Sequence, residues 1–386
     1  MSLITLNAGS SSLKVAVFSR DAAERRLSGL LDRREDGWRF TVKGEGGEQA
    51  WPLDAAATRA DALSAALEAL AGAAGERVHA VSHRIVHGGA YFAAPCLIDE
   101  DVRARLEALT ALAPLHQPHN LAAVSAAEAA FPSAVQVACF DTAFHHGHAF
   151  EHEAFALPRR YFEAGVRRYG FHGLSYEYLS AALSKLAGPA PSRVVFAHLG
   201  AGASLCAVKD GRSVDTTMGF SALDGLPMAT RCGQIDPGVL LHLMDTEGMD
   251  ATALSNLLYR ESGLQGLSGL SGDMRVLEAS QAPEAGQAID YFTACCRREI
   301  AAMTAAVQGL DALVFSGGMG ENSSRIRAAV CAGLGWLGVE IDPDANAAAR
   351  GAPAQISTAV SNVQVWMIPT DEESVLARAA ARLAPA

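Results

Sequence analysis

Two stretches of this chain repeat one another, and that repeat restricts the fold more than any other feature. Residues 4–18 read Ile-Thr-Leu-Asn-Ala-Gly-Ser-Ser-Ser-Leu-Lys-Val-Ala-Val-Phe. A small polar turn of Asn7, Gly9, Ser10, Ser11 and Ser12 follows an apolar start, and Leu13, Val15 and Val17 then alternate with Lys14, Ala16 and Phe18. Period-two alternation beyond the turn predicts a second strand and so a β-hairpin. Residues 194–208 repeat the order: an apolar run to Leu199, the turn Gly200-Ala201-Gly202-Ala203-Ser204, and a strand to Val208, closed by Lys209-Asp210-Gly211. A Walker loop needs different spacing and opens onto a helix. These tips instead offer closely spaced backbone N–H groups, hydroxyls and an ammonium, which suit a polyphosphate. One Gly/Ser hairpin is an ordinary turn. Two, about half a chain apart, predict duplicated halves facing one nucleotide.

A chain of 386 residues accommodates two such halves, each with a core large enough to fold without staples. Its formal charge of −11 disfavours nucleic acid or an anionic membrane as partner. Lysine occurs only at positions 14, 43, 185 and 209, and two of those flank the hairpins. Seven cysteines, at 96, 139, 206, 232, 295, 296 and 331, are odd in number and lack a C-x-x-C pair, the pattern of reduced thiols in a cytosolic protein. No secretory signal precedes the first strand, and no apolar run reaches the length of a membrane span. The expectation is a soluble cytoplasmic protein.

Between the hairpins, residues 25–52 read as short strands and turns, and Thr58 to Ala73 as a helix opened by Thr58-x-x-Asp61. Val78 to Val86 reads as a strand running into His83-Arg84-Ile85-Val86-His87-Gly88-Gly89, which leaves Arg84 placed to enter a cleft; a salt-bridged arginine is the plain alternative. A helix over Val102 to Ala111 gives way to a proline-bounded loop carrying His116, which caps a helix from Leu121 to Ala130. The strand Ala134 to Phe140 ends at Asp141, the usual site of a functional carboxylate in an α/β sheet. His145, His146, His148 and His152 read alternatively as a metal cluster, although their spacing matches no standard site. A loop over 167–175 presents His172 between glycines before a helix from Ser175 to Leu186, and Arg231 is a second Gly-flanked arginine. The longest helical pattern runs from Ala285 to Gln308. Residues 313–323 form a third Gly-rich turn, leaving into a helix from Ser324 to Ala332, an arrangement that presents backbone to an anion or an adenosine. A strand over Val363 to Ile368, Pro-Thr-Asp-Glu-Glu and a helix from Ser374 follow.

Together these motifs resemble the acetate kinase family almost end to end. The match rests on Asn-Ala-Gly-Ser-Ser-Ser-Leu-Lys at 7–14, His-Arg-Ile-Val-His-Gly-Gly at 83–89 and Phe-Asp-Thr-Ala-Phe-His at 140–145. It continues in Arg-Tyr-Gly-Phe-His-Gly-Leu-Ser at 168–175, Met-Gly-Glu-Asn-Ser at 319–323 and the Pro-Thr-Asp-Glu-Glu segment at 369–373. The resemblance implies an α/β fold of the sugar-kinase/actin superfamily: duplicated ribonuclease-H-like, actin-like ATPase domains with a nucleotide cleft between them. It places the first domain at 1–150, joined by the C-terminal helix 372–386, and the nucleotide-binding second domain at 151–371.

The resemblance also implies roles. Arg84 and Arg231 hold the carboxylate and the developing equatorial charge, His172 donates to the transferring phosphoryl, and His116 supports it. Asp141 aligns acceptor and metal; it has no proton to remove, because a carboxylate acceptor is ionised at neutral pH. Asn7 and Glu372 match the Mg²⁺-side positions, with Mn²⁺ as a substitute, and Ser10, Ser12 and Lys14 contact phosphate. His198, Leu199, Gly200, Ala201 and Gly202, with Asp273, Met274 and Arg275 and with Gly318, Met319, Gly320, Glu321 and Asn322, form the nucleotide loops. Val86, Leu115, Phe171 and Ala222 line the acyl pocket. ATP is the co-substrate, acetate or propionate the acceptor, and a homodimer the assembly.

Two positions depart from the family pattern. Gly200-Ala201-Gly202 stands where Gly-Asn-Gly is usual, and Ala222 where proline is common. The competing readings are a propionate kinase and an actin-like ATP-binding scaffold without acid kinase activity. The two arginines beside apolar residues favour a small anionic acceptor over the scaffold.

Overall fold

The computed structural model describes residues 1–9, 12–34, 37–53, 57–74, 76–113, 116–188 and 191–385. The chain forms two compact units, Met1–Phe144 with Asp371–Ala386, and His145–Thr370. Ser10 and Leu115, both expected in the site, lie outside the described residues.

The first unit holds an eight-stranded sheet built from β1 (Ser2–Ala8), β2 (Ser12–Ser19), β3 (Arg25–Arg34), β4 (Gly37–Gly44), β5 (Gly47–Pro52), β6 (Val78–Ile85), β7 (Cys96–Leu97) and β8 (Val135–Phe140). Their spatial order is β5-β4-β3-β2-β1-β6-β8-β7. The antiparallel run from β1 to β5 follows from short turns. β1, β6 and β8 are mutually parallel neighbours, and every residue of β1 is buried, as expected for a central strand covered on both faces. One face packs Ile4, Leu6, Val15 and Val17 against Leu67 and Leu70 of the helix Arg59–Ala74. On the other face Leu3, Ala16 and Ala80 meet Ala377 and Ala380 of the helix Glu372–Leu383. The side chain of Asp371 caps this last helix by accepting the Ser374 N–H, and Glu372 and Glu373 complement the positive end of its dipole.

The second unit has a six-stranded sheet of β9 (Arg193–Leu199), β10 (Ala203–Lys209), β11 (Arg212–Thr216), β12 (Ala312–Ser316), β13 (Ala354–Gln355) and β14 (Gln364–Met367), ordered β11-β10-β9-β12-β14-β13. β9 pairs antiparallel with β10 and parallel with β12, which pairs parallel with β14. The paths β3-β2-β1-β6-β8 and β11-β10-β9-β12-β14 are therefore the same path, drawn twice. This is the duplicated ribonuclease-H-like architecture. The helix Pro283–Ala306 buries Ile289, Phe292, Cys296 and Ile300.

Several boundaries differ from the sequence reading, and the last helix, expected from Ser374, begins at Glu372. The helix expected from Leu121 begins at Gln117, because Pro118 occupies its first turn, where a missing N–H costs nothing. The helix expected from Ser175 begins at Gly173. The third Gly-rich turn is itself a short helix, Gly317–Asn322, followed directly by Ser324–Ala332. Among the described residues no cysteine is joined in a disulfide. Among the described residues no helix is long and apolar enough to cross a membrane.

Candidate active site

In the first unit the parallel strands bring three predicted residues to their C-terminal ends: Asn7 on β1, Arg84 on β6 and Asp141 immediately after β8. The Asp141 N–H donates to the Ile85 carbonyl at 3.1 Å, which carries the β6–β8 pairing one residue further. Arg84 grips Asp141 as a fork, Nε to Oδ1 at 2.9 Å and Nη2 to Oδ2 at 2.6 Å, and its Nη1 donates to Asn7 Oδ1 at 3.1 Å. The Asn7 amide then donates to Glu372 Oε2 at 2.7 Å and to Glu373 Oε1 at 3.4 Å. Asp141 is 1% exposed and the Arg84 side chain 17%. Burial alone would lower the Arg84 pKa; the charges of Asp141 and then Glu372 outweigh it and leave the guanidinium more basic than usual.

The oxygens of Asn7, Asp141, Glu372 and Glu373 form a hard donor set without sulfur or imidazole. Among the described residues no group of three or more His, Cys, Asp or Glu side chains could cage a metal ion. That combination fits Mg²⁺, which takes one or two protein carboxylates and completes its shell with water and phosphate. Lys14 stands opposite Asn7 in the β1–β2 register, with its side chain exposed. The Ser12 carbonyl accepts the Gly9 N–H at 2.8 Å and closes the hairpin tip. Val86 is buried just beyond β6. His116 is the N-cap residue of Gln117–Ala130.

Asn120 escaped the sequence reading as a site residue. Its amide donates to the Ala8 carbonyl at 3.3 Å and its oxygen accepts the Val86 N–H at 3.0 Å, so it ties the tip of β1 to the end of β6.

In the second unit the tip Gly200–Gly202 is closed by Gly200 N–H donating to the Gly202 carbonyl at 3.0 Å. His172 has left-handed backbone, φ 59°, at the entry to Gly173–Leu186, and its ring stacks on His198 with centroids 4.5 Å apart. A Cβ at Gly202 would lie 3.3 Å from His172 Nε2 and 3.8 Å from Arg231 Nη2. Both groups therefore face the same glycine. Arg231 Nη1 donates to the Ala222 carbonyl at 2.8 Å, which joins two predicted site residues. The loop carrying Arg231 is tied to the tip by Ala229 N–H donating to Ala201 O at 3.1 Å. It is braced from outside by the π-turn Leu257–Glu261, whose Tyr259 carbonyl accepts the Thr230 hydroxyl at 2.8 Å. Gly263 completes the brace: with φ +64°, a Cβ there would come within 2.2 Å of the Met228 carbonyl. Phe171 is buried, and its carbonyl accepts His145 Nε2–H at 2.9 Å.

The three nucleotide segments meet. A cavity of about 390 Å³ is lined by Gly200, Ala201, Asp273, Met274, Arg275, Gly318, Met319 and Asn322. His198 and Leu199 lie in β9 and lead into its rim, with Leu199 buried. Gly320 is buried. Glu321 is committed to the backbone, accepting the N–H groups of Gly317 and Thr370 at 2.9 and 3.2 Å. Arg275 pairs with Asp273; the arginine side chain is exposed and the aspartate half-buried. Arg327, 1% exposed, donates to the carbonyls of Gly320 and Glu321 at 2.9 and 3.0 Å and satisfies the C-terminal end of the short helix. Ala229, Gly272, Glu278 and Ser323 also line the cavity; Ser323 closes the Met-Gly-Glu-Asn-Ser motif, and a Cβ at Gly272 would strike the Ala229 carbonyl at 2.6 Å.

The histidine run does not gather on a metal. His145 Nδ1 and His148 Nε2 both bond to the Ser213 hydroxyl at 2.8 Å, and His152 pairs with Asp215 at 3.1 Å.

Residues 2–378 match the sequence profile described as the Acetokinase family. The chain is 48% identical over 391 aligned positions to the acetate kinase of Methylocella silvestris, covering 97% of this chain and 96% of that one. Among solved structures it resembles a propionate kinase from Francisella tularensis, with a TM-score of 0.92, 34% identity and 99% coverage of both chains. It likewise resembles the acetate kinase of Porphyromonas gingivalis, with a TM-score of 0.87 and 34% identity over 97% of this chain and 98% of that one.

Proposed function

Since this chain belongs to the acetokinase family and is a kinase acting on ATP, we propose that it transfers the γ-phosphoryl group of ATP reversibly to acetate, giving acetyl phosphate and ADP. The observation that carries this reading is the Arg84 fork, held at the strand ends by Asp141 and Asn7. Asp141 takes the Nε–Nη2 edge and Asn7 one Nη1 proton, which leaves one N–H on each of Nη1 and Nη2 to meet a carboxylate acceptor, whereas an ATPase needs only a positioned water.

Phosphoryl transfer asks a protein for alignment and for cancellation of charge on the moving group. Arg84 holds the acid's carboxylate, and Val86 and Phe171 give its alkyl end an apolar wall. Arg231 and His172 Nε2–H, both facing Gly202, donate to the equatorial oxygens as negative charge builds there. Asp141 fixes the guanidinium of Arg84 and leaves every proton where it is. Lys14, Ser10 and Ser12 take phosphate oxygens, His116 supports His172 at the transferring phosphoryl, and the cavity beside Gly200 and Met319 receives the nucleoside end of ATP. Asn7 and Glu372 are the residues that would hold Mg²⁺, which would supply positive charge to offset the negative charge of the phosphates.

The test is acyl phosphate trapped as hydroxamate. The native protein with ATP and acetate is expected to give hydroxamate, and Arg84→Ala to lose about 10²- to 10³-fold of it, the scale of a lost charge-stabilising donor. Phosphate release without hydroxamate in the native protein would favour the scaffold reading.

Ala222 supports a wider acid range. A smaller side chain at this wall leaves room for one more methylene, which is worth only about 1–3 kcal/mol of discrimination. kcat/KM for propionate is expected within about tenfold of that for acetate; a drop beyond 100-fold would reject the wider pocket.

A homodimer is proposed as the assembly. It is supported by the helix Pro237–Glu247, which buries none of its residues and leaves Leu241 63% exposed. Seven cysteines without a disulfide support a reducing, cytoplasmic location.

A further inference from the structure

His172 can donate a hydrogen bond to a phosphoryl oxygen only if its ring proton sits on the nitrogen that faces the substrate. A neutral imidazole carries one proton, and the partner of the other nitrogen decides where it goes. That partner is the Ser204 hydroxyl, 2.8 Å from His172 Nδ1. Ser204 Oγ in turn bonds to the hydroxyl of Tyr176, and Ser204 and Tyr176 are both 0% exposed. The geometry points to Tyr176 and Ser204 as positioning residues that keep the proton of neutral His172 on Nε2, the nitrogen facing Gly202.

The direction of the chain follows from the acidity of the two hydroxyls, because a phenol donates more readily and accepts less readily than an aliphatic hydroxyl. A serine hydroxyl has one proton to give. Tyr176 O–H donates into Ser204 Oγ, Ser204 gives its own proton to Nδ1, and the ring proton must then lie on Nε2. Burial raises the Tyr176 pKa well above the ordinary phenol value, so this hydroxyl keeps the proton it donates. The stacked ring of His198 does not compete for Ser204, because its Nδ1 bonds to Ser175 Oγ at 2.8 Å. The inference rests on the role given to His172 above and names the groups that prepare it.

The test reads the tautomer directly. Protein labelled with ¹⁵N-histidine is examined at about pH 8 by long-range ¹H–¹⁵N correlation, with the His172 signal identified by its loss in His172→Gln. The native ring is expected as the Nε2–H form and Ser204→Ala as a mixture with Nδ1–H. The same variant should lose about 10- to 30-fold in kcat, part of the value of one preorganised donor, with KM for ATP changed less than about twofold. Tyr176→Phe keeps the buried ring and should lose less, in the same direction. A native ring protonated on Nδ1 would overturn the proposal. So would a kcat loss in Ser204→Ala with an unchanged tautomer, or both variants within twofold of native kcat. Should the native protein make no acyl phosphate, the functional reading fails, and the spectrum still decides the tautomer.

Discussion

Ala201 lines the nucleotide cavity with a methyl group while its own carbonyl is engaged by Ala229. The backbone at the tip is therefore already fixed, and only a side-chain donor is missing there. Ala201→Asn is expected to lower the KM for ATP by about 5- to 30-fold, the value of one regained polar contact of roughly 1–2 kcal/mol; an unchanged KM in initial-rate measurements would show that the tip has no use for an amide. Arg84 and Asp141 were legible as single residues because each stands at the end of an apolar run, where a charge is conspicuous. Asn120 and Glu278 were not. Both reach the site from helices, Gln117–Ala130 and Met274–Ala279, and nothing in their neighbours' periodicity distinguishes them from surface residues.

At the scale of elements, strands and long helices followed the period of their apolar residues, and the errors fell where glycine and proline carry the local signal. Gly317–Asn322 holds three glycines, each about 1 kcal/mol worse than alanine in a helix, so a turn was the natural reading. Tertiary contacts decide otherwise. Gly317 has φ +76° and sits so close to β9 that a Cβ would lie 2.8 Å from the Leu199 carbonyl, and Arg327 binds the far end. The helix Pro237–Glu247 is the opposite case: Asp236 and Pro237 mark its start plainly, but sequence alone cannot say what covers Val239, Leu241 and Met244, which are 41%, 63% and 46% exposed. Leu241→Glu is expected to convert the dimer to monomer in sedimentation at micromolar protein, with the far-ultraviolet spectrum unchanged. A native protein that sediments as a monomer would remove the proposed assembly.

For the whole molecule, the duplication was legible because the sheet of each half opens with the same hairpin. Buried histidines link both halves to pH. His83 in the first unit and His145 in the second are enclosed, and burial lowers each to about 4. In the unfolded chain they titrate near 6.5, so between those values the unfolded state binds more protons and stability falls as pH falls. Each contributes on the order of 3 kcal/mol across the full window. The urea midpoint is therefore expected to be lower at pH 5 than at pH 7, and His83→Gln should flatten that slope; equal midpoints for the native protein would contradict the account.

The order in which the chain is made adds a consequence. Glu372 and the alanines that cover Leu3 and Ala80 come after the whole second unit. At translation rates of roughly 5–20 residues per second, the first sheet waits at least about ten seconds on the ribosome with one face bare. Early termination after the second unit would therefore yield more than a shortened enzyme: it would leave the earliest-made sheet sticky and Asn7 without the Glu372 carboxylate.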